Sequence, residues 1–172
     1  MKMDSIRAAI LVTSDKGHSG ERADRSGPAL AAWLMERSIE VAETKLLPDE
    51  AHRISATLIE WADVFHYDLI LTTGGTGVTP RDITPEATRK VLEREIPGIG
   101  EAMRGANQSK TPFAILSRAI AGIRGRSLIV NLPGSPKGAI ENLEAVWTVI
   151  PHAVKKIQGD TSDCVPPESY RK

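Results

Sequence analysis

The stretch Leu69-Ile70-Leu71-Thr72-Thr73-Gly74-Gly75-Thr76-Gly77-Val78-Thr79-Pro80-Arg81-Asp82-Ile83-Thr84-Pro85-Glu86 runs from an apolar strand through a glycine-rich turn into the start of a helix. Glycines leave backbone N–H groups bare, and the threonines add side-chain donors. These are the groups that surround an anion where a strand delivers the chain to a turn. Asp82 adds a carboxylate at the edge of that anion site. A carboxylate repels bound phosphates unless a divalent cation lies between them, so the pairing suggests a nucleotide phosphate together with Mg²⁺. The loop matches neither common phosphate fingerprint: the Lys of Gly-x-x-x-x-Gly-Lys-Ser/Thr is missing, and Gly-x-Gly-x-x-Gly does not occur in it. Taken alone, it reads more readily as a tight strand-to-helix connection with Asp82 capping locally. The flanking sequence decides the matter.

Outward from this loop the chain alternates strands and helices. Ala8 to Val12 is a short unbroken apolar run, as expected of a strand covered on both faces in a parallel sheet. It feeds the polar stretch Thr13 to Gly27, a loop without regular structure that carries Ser14, Asp15, Arg22, Asp24 and Ser26. Leu30, Trp33 and Leu34 then space a helix over Pro28 to Arg37, and Val41 to Leu47 reads as a second strand, completing a β-α-β unit. Asp49 stands where an N-cap belongs, before a helix with Ile54, Leu58 and Trp61 on one face. Capping accounts for the residue in isolation, although the ends of strands are also where open α/β sheets bind ligands.

Beyond the glycine loop, Thr84 is expected to cap a helix with Pro85 in its first turn, and a further helix runs from Gly98 to Asn107. Phe113 to Leu116 and Leu128 to Leu132 read as strands, with Gly122 to Arg126 between them as a turn or short extended element. The second of these strands ends in Asn131-Leu132-Pro133-Gly134-Ser135-Pro136, where Ser135 suits an N-cap and Pro136 the first helical position. Ala139, Leu143, Val146, Ile150, Val154 and Ile157 space a long amphipathic helix that Pro151 should kink or split. The three tryptophans fall within helical patterns and read as packing residues, and the four histidines have no common metal-ligand spacing.

The segment Thr72 to Thr88 resembles the MogA-type molybdopterin adenylyltransferases, a family that includes the G domains of plant and animal molybdenum-insertion proteins such as gephyrin. The resemblance extends through Ser14-Asp15, Asp24-Arg25-Ser26-Gly27-Pro28, Pro48-Asp49-Glu50, Pro97-Gly98 with Glu101, Thr111 to Gly125, and Asn131 to Pro136. It implies an α/β fold of three layers, a mostly parallel sheet with helices on both faces. The implied reaction is transfer of AMP from Mg²⁺-ATP to the terminal phosphate of molybdopterin, with release of pyrophosphate.

By the same resemblance Asp82 and Asp49 are the catalytic carboxylates and the metal ligands, Asp82 organising Mg²⁺ and Asp49 assisting placement. Gly74, Gly75, Thr76 and Gly77 would surround nucleotide phosphates, with Ser14, Asp15, Ser117, Pro133, Gly134 and Ser135 completing the nucleotide and pterin pockets. Asn107 aligns where some relatives carry a hydroxyl. A homotrimer and a separate molybdenum-insertion protein downstream are also implied. A phosphate monoester is already ionised near neutral pH and nucleophilic, so the chemistry requires no activated Ser, Cys or His. Three alternatives remain open: a MoaB-like molybdopterin-binding protein or carrier without dedicated adenylyltransferase activity, a scaffold module, and a nucleotide hydrolase. The Pro80-Arg81-Asp82 step disfavours the first. A hydrolase needs a water-activating residue, and Glu86 in a first helical turn is explained by the helix dipole.

Bulk properties narrow the classes further. The 172 residues, 41% of them hydrophobic, suit one domain with a full core, expected over 1–159, followed by a flexible tail over 160–172. Twenty-two basic and 22 acidic side chains balance to zero formal charge, which disfavours a general nucleic-acid surface. The single Cys164 excludes an internal disulfide. Neither a signal peptide nor an apolar run of membrane-spanning length is evident, so no membrane partner and a cytoplasmic location are expected.

Overall fold

The computed structural model describes residues 6–164; residues 165–172, which make up most of the expected tail, lie outside the described residues. A six-stranded sheet in the order β2-β1-β3-β6-β5-β4 forms the centre. Its strands are β1 (Arg7–Thr13), β2 (Glu40–Leu47), β3 (Leu69–Thr73), β4 (Arg94–Glu95), β5 (Ala121–Arg124) and β6 (Ser127–Leu132). β2, β1, β3 and β6 run parallel, and β5 and β4 add an antiparallel edge. The sheet is therefore mostly parallel and covered by helices on both faces, as the sequence implies.

Strand alternation sorts the core into two layers. Ala8, Ile10, Val12, Leu69, Leu71, Leu128 and Val130 face one side, packing with Leu30, Trp33 and Leu34 of α2 (Ser26–Met35), Ile99 and Met103 of α5 (Pro97–Asn107), Leu143 and Val146 of α6 (Pro136–Val146), and Ile150 and Val154 of α7 (Ile150–Ile157). Ala9, Leu11, Ile70 and Ile129 face the other side, against Ile54, Leu58 and Trp61 of α3 (Ala51–Asp63) and Ala87 of α4 (Thr84–Arg89). The central strands are buried on both faces, which explains their unbroken apolar runs. β2 alternates between exposed and partly covered positions, as an edge strand should. The connection after β1 leads to β2 on one side of the sheet and that after β3 leads to β4 on the other, so a cleft opens between them at the carboxyl ends of these strands.

Several local expectations are corrected. Phe113 to Leu116 belongs to a 3-10 helix, Pro112–Leu116, in which no residue is buried. Thr111 Oγ1 accepts from the Phe113 N–H at 3.3 Å and Pro112 occupies the first turn, so capping chemistry overrides the apolar run. The stretch Thr13 to Gly27 contains the four-residue α1 (Asp15–His18), capped by Ser14, whose Oγ accepts from Gly17 N at 3.0 Å. Thr84 is the first residue of α4 rather than its cap, which is Ile83. Asp49 does not cap α3; Glu50 holds that position without a side-chain cap bond. Gly122 to Arg126 is largely strand β5, turning at Gly125 with φ 53°. The long C-terminal helix is split into α6 and α7, with Pro151 in the first turn of the second.

Candidate active site

The loops after β1, β2, β3 and β6 enclose a cavity of about 980 Å³. That lies at the upper end of ligand pockets, which run roughly 300–1,000 Å³, and leaves room for more than one small ligand. Ser14 follows β1, Asp49 follows β2, Gly74 to Gly77 and Asp82 follow β3, and Pro133, Gly134 and Ser135 follow β6; all of them line the cavity, as does Ser117 beyond the 3-10 helix. Asp15 is the one expected site residue that does not line it.

The glycine loop has little freedom. Gly74 sits at φ 107° and a Cβ there would overlap the Thr13 carbonyl oxygen, so no other residue fits. Gly75, at φ 58°, accepts from the Thr84 N–H at 3.0 Å, and a Cβ on it would lie 3.0 Å from Asp49 Oδ1. Beneath the loop, Thr13 and Thr84 share a 3.0 Å hydroxyl contact, and Thr73 Oγ1 donates to the Pro133 carbonyl at 2.7 Å, tying the β3 loop to the β6 loop. Fully buried Asn131 donates to the hydroxyls of Thr72 and Thr88, each at 2.9 Å, which fixes β3 against α4.

The two expected carboxylates are held differently. Asp82 Oδ2 accepts from the Thr79 N–H at 2.8 Å and closes the turn that carries it. Asp49 Oδ2 accepts from the Asp15 N–H at 3.1 Å, whereas Asp49 Oδ1 is buried with no hydrogen-bond partner. Burial pushes the Asp49 carboxyl above its ordinary range; the bond from the Asp15 amide opposes this, and the Asp15 and Asp82 charges add to it. The carboxyl of Asp15 is held below the ordinary range, first by hydrogen bonding to the Arg81 guanidinium and then by the Asp49 amide. An orphaned, buried carboxylate oxygen beside a second carboxylate is a site prepared for a cation or a strong donor.

Residues beyond the assigned set also shape the site: Arg118 from outside the cavity, and Arg22, Asp24, Arg25 and Asn107 in its wall. Arg118, next to Ser117, donates through Nε to the Gly77 carbonyl at 2.6 Å and through its second arm to the Asp82 carbonyl, while pairing with Glu86. It clamps both ends of the turn bearing Asp82. Asp24, which precedes the α2 cap residue Arg25, accepts from Ser26 N at 2.9 Å and Gly27 N at 3.1 Å, and Arg22 and Arg25 line the cavity wall beside it. Asn107 is buried, donates to the Met103 carbonyl at 2.9 Å, and leaves its Oδ1 unpaired at the cavity. Among the described residues no group of three or more His, Cys, Asp or Glu side chains gathers as a metal site. No helix among them is long and apolar enough to cross a membrane.

The family described as a probable molybdopterin binding domain matches residues 9–152. The chain belongs to this family. The molybdopterin adenylyltransferase of Helicobacter pylori strain J99 is 45% identical over 160 residues, covering 92% of this chain and 91% of that protein. Gephyrin of Dictyostelium discoideum is 43% identical over 172 residues, covering 94% of this chain and 24% of that much longer protein. Among solved structures, the molybdopterin biosynthesis enzyme MoaB of Thermus thermophilus superposes with a TM-score of 0.86 at 54% identity, covering 90% of this chain and 98% of that one.

Proposed function

We propose that this protein is a molybdopterin adenylyltransferase of molybdenum cofactor biosynthesis, transferring AMP from Mg²⁺-ATP to the terminal phosphate of molybdopterin with release of pyrophosphate. The observation that carries this reading is the buried, unpartnered Asp49 Oδ1 facing the glycine loop, with Asp82 lining the same cavity. The 45% identity to a molybdopterin adenylyltransferase supports it over nearly the whole chain.

The residues suit the chemistry. Adenylyl transfer must hold two polyanions together and stabilise charge on the departing pyrophosphate, which calls for fixed donors rather than a protein nucleophile. The N–H groups and hydroxyls of Gly74, Gly75, Thr76 and Gly77 would receive nucleotide phosphates. Pro133 and Gly134 adjoin the glycine loop, and together with Ser117 and Ser135 they would complete the nucleotide and pterin pockets. Asp49 and Asp82 fit Mg²⁺, which takes one or two carboxylates along with substrate phosphates and water, and fit no structural zinc site. When bound, the cation would neutralise phosphate charge. Asp49 Oδ1, which has no hydrogen-bond partner in the protein, is free to face it.

A homotrimer, a cytoplasmic location and a separate molybdenum-insertion protein belong to the same proposal. The exposed Phe113, Ile115 and Leu116 of the 3-10 helix supply apolar surface that another subunit could cover. A second reading, a molybdopterin-binding protein without dedicated transfer activity, draws on the 54% identity with a protein named MoaB. To separate the two, purified protein is incubated with molybdopterin, ATP and Mg²⁺, with Asp82→Asn alongside, and adenylylated pterin is quantified. Product from wild type and its loss in a variant that still binds pterin supports transfer. Pterin binding by both proteins with product from neither leaves the carrier reading.

A further inference from the structure

We propose that Arg81 is a positioning residue, holding the Asp49 carboxylate in its place in the cavity through Asp15. Arg81 Nε donates to Asp15 Oδ2 at 2.8 Å and Arg81 Nη2 donates to Asp15 Oδ1 at 2.9 Å, a two-point grip that fixes the carboxylate plane. Asp15 and Asp49 then cross-link in both directions: the Asp49 amide donates to Asp15 Oδ1 at 2.9 Å and the Asp15 amide donates to Asp49 Oδ2 at 3.1 Å. One oxygen of Asp49 is consumed by this link, so its other oxygen faces Gly75 unpaired.

Asp15 does not line the cavity, and Arg81 is 62% exposed in its side chain, so neither is suited to hold substrate. An exposed ion pair contributes only about 0–1 kcal/mol to stability. What this one supplies is geometry. Without Arg81 the repulsion of the Asp49 carboxylate by the Asp15 charge is no longer offset, which favours parting of the reciprocal amide bonds. Arg81 also precedes Asp82 directly. The β3 loop thus delivers one carboxylate itself and, from the neighbouring residue, fixes the one that follows β2. The separation of the two carboxylates is set by a single dipeptide.

The test has two arms, and only the kinetic arm rests on the proposed adenylyl transfer. In the first, amide hydrogen exchange compares wild type, Arg81→Ala and Arg81→Lys. The expected result is a roughly tenfold loss of protection at the Asp15 and Asp49 amides in Arg81→Ala, with the Gly74 amide, bonded to Leu132, unchanged. In the second arm, Arg81→Ala lowers kcat about thirtyfold with KM for molybdopterin within about twofold. Arg81→Lys recovers part of that loss, and adding Asp15→Asn to Arg81→Ala costs no more than about twofold further, because the two act as one unit. Unchanged protection at Asp15 and Asp49 in Arg81→Ala overturns the proposal. So does a raised KM at unchanged kcat, which would make Arg81 a substrate-binding group, and so does global unfolding of the variant, which would make it a stability element. If wild type transfers no AMP, the functional reading fails while the exchange arm still decides the linkage.

Discussion

Asp49→Asn should abolish adenylyl transfer and yet make the protein more stable. The buried Asp49 Oδ1 has no hydrogen-bond partner, and burial pushes the carboxyl above its ordinary range. The sign follows from linkage: the folded state holds the Asp49 proton more tightly than the unfolded chain does. That contribution to stability is present below the unfolded carboxylate range and is lost as pH rises through the raised folded value. At neutral pH the ionised side chain is therefore a cost, which a neutral amide removes while its oxygen keeps the bond from the Asp15 amide. An unpaired buried polar group costs about 1–3 kcal/mol, more when charged, and the asparagine still leaves an unpaired N–H₂, so the net gain is set at about 1 kcal/mol. Unfolding entropy for 172 residues is about 0.36 kcal/mol per kelvin, which converts that gain to a Tm rise of about 3 °C. Calorimetric scans of both proteins without nucleotide, from pH 7.5 down into the carboxylate range, should find the difference shrinking as the wild-type carboxyl protonates. A variant that melts below wild type at pH 7.5, or that keeps its transfer rate, refutes the reasoning.

Other outcomes are expected from the support under the glycine loop. Gly74→Ala, forced into φ 107° against the Thr13 carbonyl, should lose about 3 kcal/mol or more in urea unfolding and should bind neither substrate. Asn131→Ala removes the bonds to Thr72 and Thr88 from a fully buried site and should cost about 3 kcal/mol in the same experiment, the cavity and the stranded hydroxyls included. Ser135→Ala removes the cap bond to Gly138 N at 3.1 Å at the start of α6 and should lower stability by about 1 kcal/mol, with the fold unchanged by circular dichroism.

The parts of the fold that were legible in sequence are those whose burial is uniform. β1, β3 and β6 lie at the sheet centre, covered on both faces, so their apolar runs have one meaning. Phe113 to Leu116 is just as apolar and misled the reading, because Phe113 is 73% exposed: nothing in a short apolar run says whether anything covers it. Asp49 misled in the other direction. Its place before α3 suggested a cap, but Glu50 takes that position, and the carboxylate is turned instead to the Asp15 amide. The Arg81 to Asp15 link spans 66 residues and the Arg118 to Gly77 link 41. Side chains that meet only after the sheet is assembled leave no periodic trace, although Arg81 and Arg118 both lie inside motif segments quoted from the sequence.

The most direct test of the central claim follows the label from ATP carrying isotope at either the α or the γ phosphorus, with purified protein, Mg²⁺ and molybdopterin. Adenylyl transfer predicts that the α label enters the pterin product and the γ label leaves as pyrophosphate, both only when molybdopterin is present. The γ label appearing as free phosphate, or ATP remaining intact while molybdopterin is bound, would contradict the account.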